Sequence, residues 1–352
     1  MAAEGQAGLD PEEGTLLGNC VIERRLGDGG MGIVFGAHDR FLKRTVAVKV
    51  LKPELYSNSD LRKRFEKEAT CAAGIEHENV VRIYSIDGDD EGRPFLVMEY
   101  VDGPSLSQRV EDGPIEHQRA LRIFGEVAAA LQAVHEQGLV HRDVKPANVL
   151  IRNPGEPDEQ AMLTDFGIVK VLDSQTALTF GAIGTPDYLS PEVADLQPAT
   201  DRSDQYALAL VLYRMLSGCR LFEGLEMPRA HRDEPIPDFA ADLPTANRAL
   251  RGALTRALAK DPGDRFPSVA AFADAVRESQ AGAASERRPL QESMELVLND
   301  RGPLSPVELA TAVSDQLSSD DVGVTPLQVE GRAKLYSQLF QLLPDGRIGL
   351  RD

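Results

Sequence analysis

The chain has 352 residues, which is enough for one large two-lobed domain or for two to three smaller domains with buried cores. Its 42% hydrophobic and 27% charged content is that of a soluble globular protein and excludes a disordered or collagen-like chain. The 56 acidic and 38 basic residues give a net charge of −18, which disfavours indiscriminate binding to nucleic acid or to anionic membrane surfaces.

The cysteines and the apolar runs indicate the compartment. Cys20, Cys71 and Cys219 are widely spaced without a C-x-x-C pair, so they predict neither a disulfide framework nor a zinc site. The first residues carry acids where an export signal needs basic and then apolar residues. The longest apolar run, 206–216, is shorter than the roughly 20 residues that span a bilayer. We therefore expect a cytoplasmic protein with reduced thiols and no membrane span.

A mostly β region precedes a mostly α region. Residues 1–14 are expected to be a flexible N-terminus. From residue 18 to residue 100 the pattern predicts strands and turns, interrupted by one helical stretch around residue 65. The predicted strands cover 21–26, 33–37, 45–51, 80–86 and 95–99. From residue 106 to residue 279 helices dominate, and the clearest cover 116–137, 201–216, 246–259 and 269–278.

A glycine-rich turn lies between the first two predicted strands. Residues 27–34 have the sequence GDGGMGIV, which fits the pattern G-x-G-x-x-G-x-V. Glycines without side chains let the backbone approach phosphate groups closely. Alone, the pattern is equally compatible with an ordinary hairpin. It does not fit a dinucleotide-binding fold, where the glycines open a helix.

Lys49 ends the next strand pattern, VAVK, and Glu68 on the intervening helix is its natural partner. A lysine on a strand and a glutamate on a helix are more often solvated surface residues. A functional role for this pair therefore depends on the motifs that follow it along the chain.

Two further motifs follow in order. Residues 141–148, HRDVKPAN, place an acid, a lysine and an amide just before a short apolar run. Asp165-Phe166-Gly167 begins 22 residues after Asp143, at the end of another short strand. Each tripeptide alone occurs commonly in loops. Both in this order, with Lys49 before them and Pro191-Glu192 after them, argue against coincidence.

The ordered motif set resembles that of eukaryotic-like (Hanks-type) serine/threonine protein kinases, particularly the bacterial ones, over residues 15–280. The resemblance implies an α+β fold of two lobes, with a β-rich N-lobe at 15–101 and an α-rich C-lobe at 102–280. It also implies ATP and Mg²⁺, which Mn²⁺ can replace, as cofactors and proteins as substrates. It favours an enzyme acting in cytoplasmic signalling.

The resemblance assigns roles to matching positions. The residues implied in ATP binding are Gly27, Gly29, Gly32, Val34, Ala47, Lys49, Glu68, Met98, Glu99, Val101 and Leu150. Asp143 is implied to orient the substrate hydroxyl and accept its proton, and Lys145 to neutralise charge on the γ-phosphate. Asn148 and Asp165 are implied to hold the metal. Phosphoryl transfer needs positioning and charge neutralisation, so these residue types suffice.

Residues 165–192 resemble an activation segment. Lys145 together with Thr185 fits the serine/threonine pattern rather than the tyrosine pattern. Thr176 and Thr179 lie where relatives are often autophosphorylated, and Arg142 is available to pair with an added phosphate. The sequence is equally consistent with the alternative that Thr176 and Thr179 are solvated loop residues without function.

The resemblance also implies two structural contacts. Asp204 is implied to anchor the catalytic loop, and Arg265 to form a buried pair with Glu192. The chain departs from many relatives in a longer acidic turn at 153–160, for which we expect a surface loop. It departs again at 221–246, which is shorter and whose prolines oppose helix formation.

Residues 281–289, AGAASERRP, have the composition of a linker, so we place a boundary there. In 290–352, SPVE at 305–308 and TPLQ at 325–328 predict two well-capped helices, followed by a turn and a short strand. This order resembles a HARE-type winged helix-turn-helix domain, as in the RNA polymerase delta subunit. Ten acidic and five basic residues disfavour direct DNA binding and favour a protein partner or dimerisation. A helical cap on the kinase lobe remains an alternative.

The sequence thus predicts an ATP-dependent protein serine/threonine kinase with activation-loop autophosphorylation. The rival hypotheses are a pseudokinase scaffold that does not transfer phosphate and a transcription-associated adaptor that works through residues 290–352. The sequence identifies neither the protein substrates nor the pathway.

Overall fold

The computed structural model describes residues 10–29, 32–52, 69–89, 92–165, 186–243, 245–316, 325–335, 337 and 339–351. The chain divides into two compact units, 1–276 and 277–352. Within the described residues, no helix combines the length and the apolar character that crossing a bilayer requires.

A six-stranded antiparallel sheet begins the larger unit. Its strands are β1 (Leu16–Leu17), β2 (Cys20–Asp28), β3 (Gly32–Asp39), β4 (Arg44–Leu51), β5 (Ile83–Gly88) and β6 (Pro94–Glu99). They lie in the order β1-β2-β3-β4-β6-β5. Aliphatic residues at alternate positions of β2, β3 and β4 bury one face in a core that also holds Phe35 and Phe95. Four predicted strands are present near their expected bounds. The fifth begins at Ile83, because Val80 makes a single bridge to Leu163 instead of joining the sheet.

Helices make up most of the rest of this unit. They are α1 (Leu106–Glu111), α2 (His117–Glu136), α3 (Pro191–Ala194), α4 (Asp201–Ser217), α5 (Arg229–Asp233), α6 (Arg248–Ala257) and the first turns of α7 (Val269–Arg301). The long apolar run predicted as a buried helix is α4, which packs against α2 and α6. Phe124 of α2 and Phe272 of α7 meet edge to face, with ring centroids 5.0 Å apart. The proline-containing stretch 221–246 carries only the five-residue helix α5 in its described part.

A short hairpin connects the sheet to the helices. Its strands are β7 (Val149–Arg152) and β8 (Gln160–Leu163). The Val81 amide donates to the Leu163 carbonyl oxygen at 2.9 Å, and the Ile151 amide donates to Pro104 at 2.9 Å. The hairpin is therefore hydrogen bonded to the chain just before β5 and just after β6.

The turn of this hairpin is exposed from residue 153 to residue 158, as expected for the acidic loop, but Glu159 is buried. Arg119 makes two bonds and Arg122 one bond from α2 to its carboxylate, and the Gly155 amide adds a fourth of 2.7 Å. Burial raises the pKa of Glu159, and these bonds outweigh burial and hold it below its ordinary value. The loop is therefore fixed to α2 by a charged side chain.

Two segments that we expected to be irregular have regular or hydrogen-bonded backbone. Residues 281–289, which we expected to form a linker, are helical and belong to α7. Alanine, glutamate and arginine, which make up six of these nine residues, have high helix propensity, so small and charged residues without an apolar period can also extend a helix. At the N-terminus, residues 1–9 lie outside the described residues, but the Gly14 amide donates to Ile22 of β2 at 2.8 Å. The last residue of the expected flexible segment is thus bonded to the sheet.

The smaller unit contains the end of α7, α8 (Pro306–Gln316), α9 (Pro326–Leu335), β9 (Phe340–Leu342) and β10 (Ile348–Leu350). Both predicted capping boxes are present. The hydroxyls of Ser305 and Thr325 accept from the amides of Glu308 and Gln328, whose side chains accept from the cap amides in return. β9 and β10 pair antiparallel around the predicted turn. The core of the unit is aliphatic apart from Phe340 and Met294.

The cysteines fit the expectation of reduced thiols. Cys20, Cys71 and Cys219 are all free, and only Cys20 is buried.

Candidate active site

An apolar cluster of side chains lies between the sheet and the β7–β8 hairpin. Five of its residues were predicted from the sequence: Val34, Ala47, Met98, Val101 and Leu150. Val81 and Met162 complete the cluster and were missed. Ala47 pairs with Met98 in the sheet, and Leu150 of the cluster comes from β7 of the hairpin. Apolar side chains grouped in this way are typical of the lining of sites that bind aromatic rings.

The glycine-rich turn joins β2 to β3. Gly27 pairs with Val34 of the apolar cluster, Asp28 makes the last pair with Ile33, and the Gly29 amide donates to the Gly32 carbonyl oxygen at 2.9 Å. A side chain at Gly32 would collide with the carbonyl oxygen of Val50 on β4, so this position requires glycine. The turn therefore packs its backbone closely against β4, near Lys49.

Lys49 reaches across the cleft to Asp165. Its Nζ donates to the Asp165 Oδ1 at 2.7 Å, and both side chains are largely withdrawn from solvent. Asp165 has a φ of 58°, a left-handed conformation that is uncommon for a non-glycine residue. The expected partner Glu68 lies outside the described residues.

Asp143 lies at the centre of a compact polar loop. Lys145 Nζ lies 3.0 Å from Asp143 Oδ2, and the Asn148 side-chain amide donates to the carbonyl and the carboxylate oxygen of Asp143 at 2.8 and 3.0 Å. Asn148 ends a short 3-10 helix, Pro146–Asn148, and its carbonyl oxygen accepts from the Thr164 amide at 2.9 Å. Asn148, just before β7, and Asp165, just after β8, therefore both lie at the open end of the hairpin.

Asp204 at the start of α4 holds this loop by its backbone. Its two carboxylate oxygens accept from the amides of His141 and Arg142 at 2.7 and 2.8 Å. Arg142 has a φ of 66°, a strained conformation that these bonds stabilise. His135 Nε2 also lies 2.8 Å from Asp204 Oδ2. His135 was missed, because one histidine on an amphipathic helix carries no signal that distinguishes it.

His141 is fully buried beneath the loop. Its Nδ1 lies 3.3 Å from the Asp143 amide, which donates to it, so the proton belongs on Nε2, 3.1 Å from the Thr164 carbonyl oxygen. Burial lowers the pKa of His141, which keeps the ring neutral. The ring thus connects the Asp143 backbone to Thr164, which follows β8 and directly precedes Asp165.

Glu192 and Arg265 form the expected ion pair. Two guanidinium nitrogens of Arg265 bond the Glu192 carboxylate at 2.9 and 2.8 Å, and the Arg265 side chain is 0% exposed. Ser203 donates a further bond of 2.7 Å to Glu192. Arg265 also donates to the carbonyl oxygens of three residues, Arg202, Ala259 and Lys260. The pair joins the segment after the cleft to the helical core.

The donors beside Asp143 fit a hard divalent cation. Asn148 donates through its nitrogen to Asp143, so its amide oxygen is available as a ligand, and Asp165 offers a carboxylate. Oxygen ligands from one or two side chains, completed by phosphate oxygens, are typical of Mg²⁺ sites. Thr176, Thr179 and Thr185 lie outside the described residues.

Comparisons with known proteins agree with this geometry. The family model described as protein kinase domain matches residues 20–274. The serine/threonine-protein kinase PknJ of Mycobacterium tuberculosis is 37% identical over 279 residues, which cover 78% of this chain and 47% of PknJ. PknA of the same species is 36% identical over 327 residues, which cover 90% of this chain and 73% of PknA. The chain spans about half the length of PknJ and likewise of Pkn1 from Myxococcus xanthus.

Solved structures give the same result for the fold. The crystal structure of the M. tuberculosis PknI kinase domain superposes with a TM-score of 0.63 at 30% identity. It covers 77% of this chain and 100% of that domain. The match confirms the predicted α+β arrangement of a β-rich lobe followed by an α-rich lobe.

Proposed function

The chain belongs to the protein kinase family, and on that premise we propose that it transfers the γ-phosphate of ATP to serine and threonine hydroxyls of proteins. The observation that carries the proposal is one connected set of contacts. It joins Lys49 to Asp165, and it holds the side chains of Lys145 and Asn148 each 3.0 Å from the Asp143 carboxylate, on a loop that Asp204 anchors.

The nucleotide binds between the sheet and the hairpin. The adenine ring packs against the apolar cluster at Ala47. The backbone of residues 98–101, which we call the hinge, forms hydrogen bonds with the edge of the ring. Lys49 holds the α- and β-phosphates, and the glycine-rich turn covers them. Glu68 pairs with Lys49 in the active state. Burial of Lys49 beside the cleft strengthens its attraction to phosphate, because the local dielectric is lower than that of water.

Asp143 orients the substrate hydroxyl and accepts its proton. Lys145, which lies against Asp143, places a positive charge where the transferred phosphoryl group carries negative charge. Asn148 and Asp165 hold Mg²⁺, or Mn²⁺ in its place, which when bound neutralises phosphate charge. Asp204 and His141 keep the loop in a strained backbone conformation, so the reacting groups need little reorganisation.

Regulation by the activation segment belongs to the same proposal. Autophosphorylation of Thr176 or Thr179 adds negative charge, which Arg142 pairs, and Thr185 contributes to serine/threonine selectivity. The intact lysine, aspartate and asparagine set of the cleft counts against a pseudokinase scaffold.

Residues 290–352 serve as a winged-helix-like module that binds a protein partner or a second copy, in a chain acting in cytoplasmic signalling. The order of two capped helices and a hairpin supports this, and ten acidic against five basic residues speak against a duplex as the partner. Light scattering of the full chain, with and without added duplex DNA, tests it. A monomer that binds DNA would contradict the proposal.

A phosphosite map tests the catalytic proposal. Purified full-length protein is incubated with ATP and Mg²⁺, and phosphoserine and phosphothreonine are located by mass spectrometry. Asp143→Asn preserves the size of the side chain and keeps one acceptor oxygen, but it removes the negative charge and the proton acceptor, so we expect phosphate incorporation to fall about 10²- to 10⁴-fold. Incorporation that is equal in Asp143→Asn, or absent from the wild type with either metal, would contradict the proposal.

A further inference from the structure

Two successive hinge residues each have their side chain held by an arginine from a different strand. Arg152, the last residue of β7, donates from Nη2 to Glu99 Oε1 at 2.5 Å. Arg24, in the middle of β2, donates from Nη2 to the Tyr100 hydroxyl at 2.6 Å. Neither arginine belongs to the motifs that place the nucleotide, and neither was predicted from the sequence.

Arg152 is itself fixed from the hairpin side. Its Nη1 lies 3.3 Å from the Gln160 side-chain oxygen on the paired strand. The preceding residue, Ile151, donates its amide to Pro104, just beyond the hinge. A side chain at Gly103 would collide with the Ile151 carbonyl oxygen, so the chain leaving the hinge lies directly on β7. These contacts therefore hold the backbone at Arg152 in place.

Glu99 is tied at both its backbone and its side chain. Its amide donates to the Arg82 carbonyl oxygen at 2.9 Å, and its Oε2 accepts from the Arg82 amide at 3.4 Å. Its other carboxylate oxygen takes the bond from Arg152. Because Glu99 pairs with Val46 next to the Ala47–Met98 pair, displacement of Glu99 would move the edge of the apolar cluster.

Arg24 makes two kinds of contact with Tyr100. Besides the bond to the hydroxyl, its guanidinium carbon lies 5.7 Å from the centre of the ring. The Tyr100 hydroxyl lies 3.5 Å from Asp102 Oδ1, to which it donates. β2 is the strand that leads into the glycine-rich turn, so this contact joins that strand to the hinge.

We propose that Arg24 and Arg152 are positioning residues that brace the hinge from two sides, through Tyr100 and Glu99, and so hold the backbone that binds the adenine ring. This inference rests on the proposed kinase function. Such a brace stabilises the bound nucleotide and the transition state equally. Its removal should therefore raise KM for ATP and leave kcat nearly unchanged. Both side chains of the Arg152–Glu99 pair keep more than a quarter of their surface exposed, so the effect is moderate, about three- to tenfold.

The first experiment measures binding without turnover. The dissociation constant of a non-hydrolysable ATP analogue is determined by calorimetry for the full-length wild type, Arg152→Met and Arg152→Lys, beside KM and kcat for ATP. We expect Arg152→Met to weaken binding and raise KM about three- to tenfold with kcat within about twofold, and Arg152→Lys to recover part of the loss. If Arg152→Met does not fold, Glu99→Gln, which removes the charge but keeps an acceptor, serves instead. Arg229→Met removes an exposed ion pair on α5 and is the matched control.

The second experiment is a double-mutant cycle at Tyr100. Tyr100→Phe removes only the hydroxyl, so we expect it to reproduce the part of the Arg24→Met effect that passes through that bond. The double variant should be less impaired than the product of the two single effects predicts.

The outcomes separate the brace from the function on which it rests. A wild type that neither binds the analogue nor turns over overturns the kinase proposal and the brace with it. A wild type that binds and turns over, with Arg152→Met equal to it or equal to Arg229→Met, overturns the brace alone. A loss confined to kcat, or independent effects at Arg24 and Tyr100, also contradicts the brace.

Discussion

The two compact units differ in what they bury. The unit of residues 1–276 encloses an arginine–glutamate pair, a neutral histidine and the anchoring Asp204 beside its aliphatic core. In the described part of residues 277–352, the core is aliphatic with Phe340 and Met294, and Ser279 is the polar residue that is buried. Its charged contacts, such as Arg347 with Asp345, lie at the surface.

This difference shows where the chain needs fixed geometry. Burying a polar group costs free energy unless it is fully hydrogen bonded, so such groups are a poor source of stability alone. In the larger unit several buried charges instead fix one backbone segment relative to another. Glu192 and Arg265 connect segments 73 residues apart, and Asp204 holds a loop 63 residues away. In the described part of the smaller unit, the core is formed by apolar packing.

The largest effect should come from breaking the buried pair. Arg265→Met leaves the Glu192 carboxylate buried without its cation, and we expect the free energy of unfolding to fall by about 3–5 kcal/mol. Arg347→Met removes an arginine–carboxylate pair at the surface of the smaller unit and should cause no measurable change. Urea unfolding of the full chain, followed by hydrogen exchange of peptides from each unit, measures both. If Arg265→Met and Arg347→Met lowered the free energy of unfolding equally, the contrast between the two units would be contradicted.

A smaller effect is expected from the aliphatic core of residues 277–352. Leu309 is fully buried on α8, so Leu309→Ala leaves a cavity and should cost about 3 kcal/mol, seen as faster hydrogen exchange in α8 and α9. Leu296→Ala, at a leucine that is 62% exposed in the same unit, is the matched control and should change little. If the two variants exchange alike, packing is not what stabilises this unit.

The smallest effect concerns acid. Burial raises the pKa of Glu192, but the bonds from Arg265 and Ser203 outweigh burial and hold it below the ordinary value of 4.5. A carboxyl group whose folded-state pKa is lowered contributes stability above its unfolded value and loses it as the pH falls through the folded value. The unfolding free energy should therefore decrease below about pH 4.5, and less steeply in Glu192→Gln. Urea unfolding at a series of pH values tests this. If the unfolding free energy fell equally steeply below pH 4.5 in the wild type and in Glu192→Gln, the prediction would be refuted.

The strands and the local caps were predictable from the sequence, because each depends on neighbours along the chain. Alternating aliphatic residues predicted β2, β3, β4 and β6, and the spacing of Ser305 and Glu308 predicted the start of α8. The sequence did not predict the helical conformation of residues 281–289, because their composition suits a helix as well as a coil. Of the residues around the cleft, Val81, Met162 and His135 were missed, since their contacts come from other strands and helices.

The sequence by itself determined the order of the motifs, and with it the family, the lobes and the residues proposed for catalysis. Only the tertiary structure decided which distant groups meet. It placed Lys49 on Asp165, 116 residues further along, and Arg152 and Arg24 on successive residues of the hinge. The physical reason is the distance along the chain over which each kind of interaction acts. Backbone conformation responds to residues a few positions away, whereas a buried ion pair or a braced hinge exists only after helices and strands have packed.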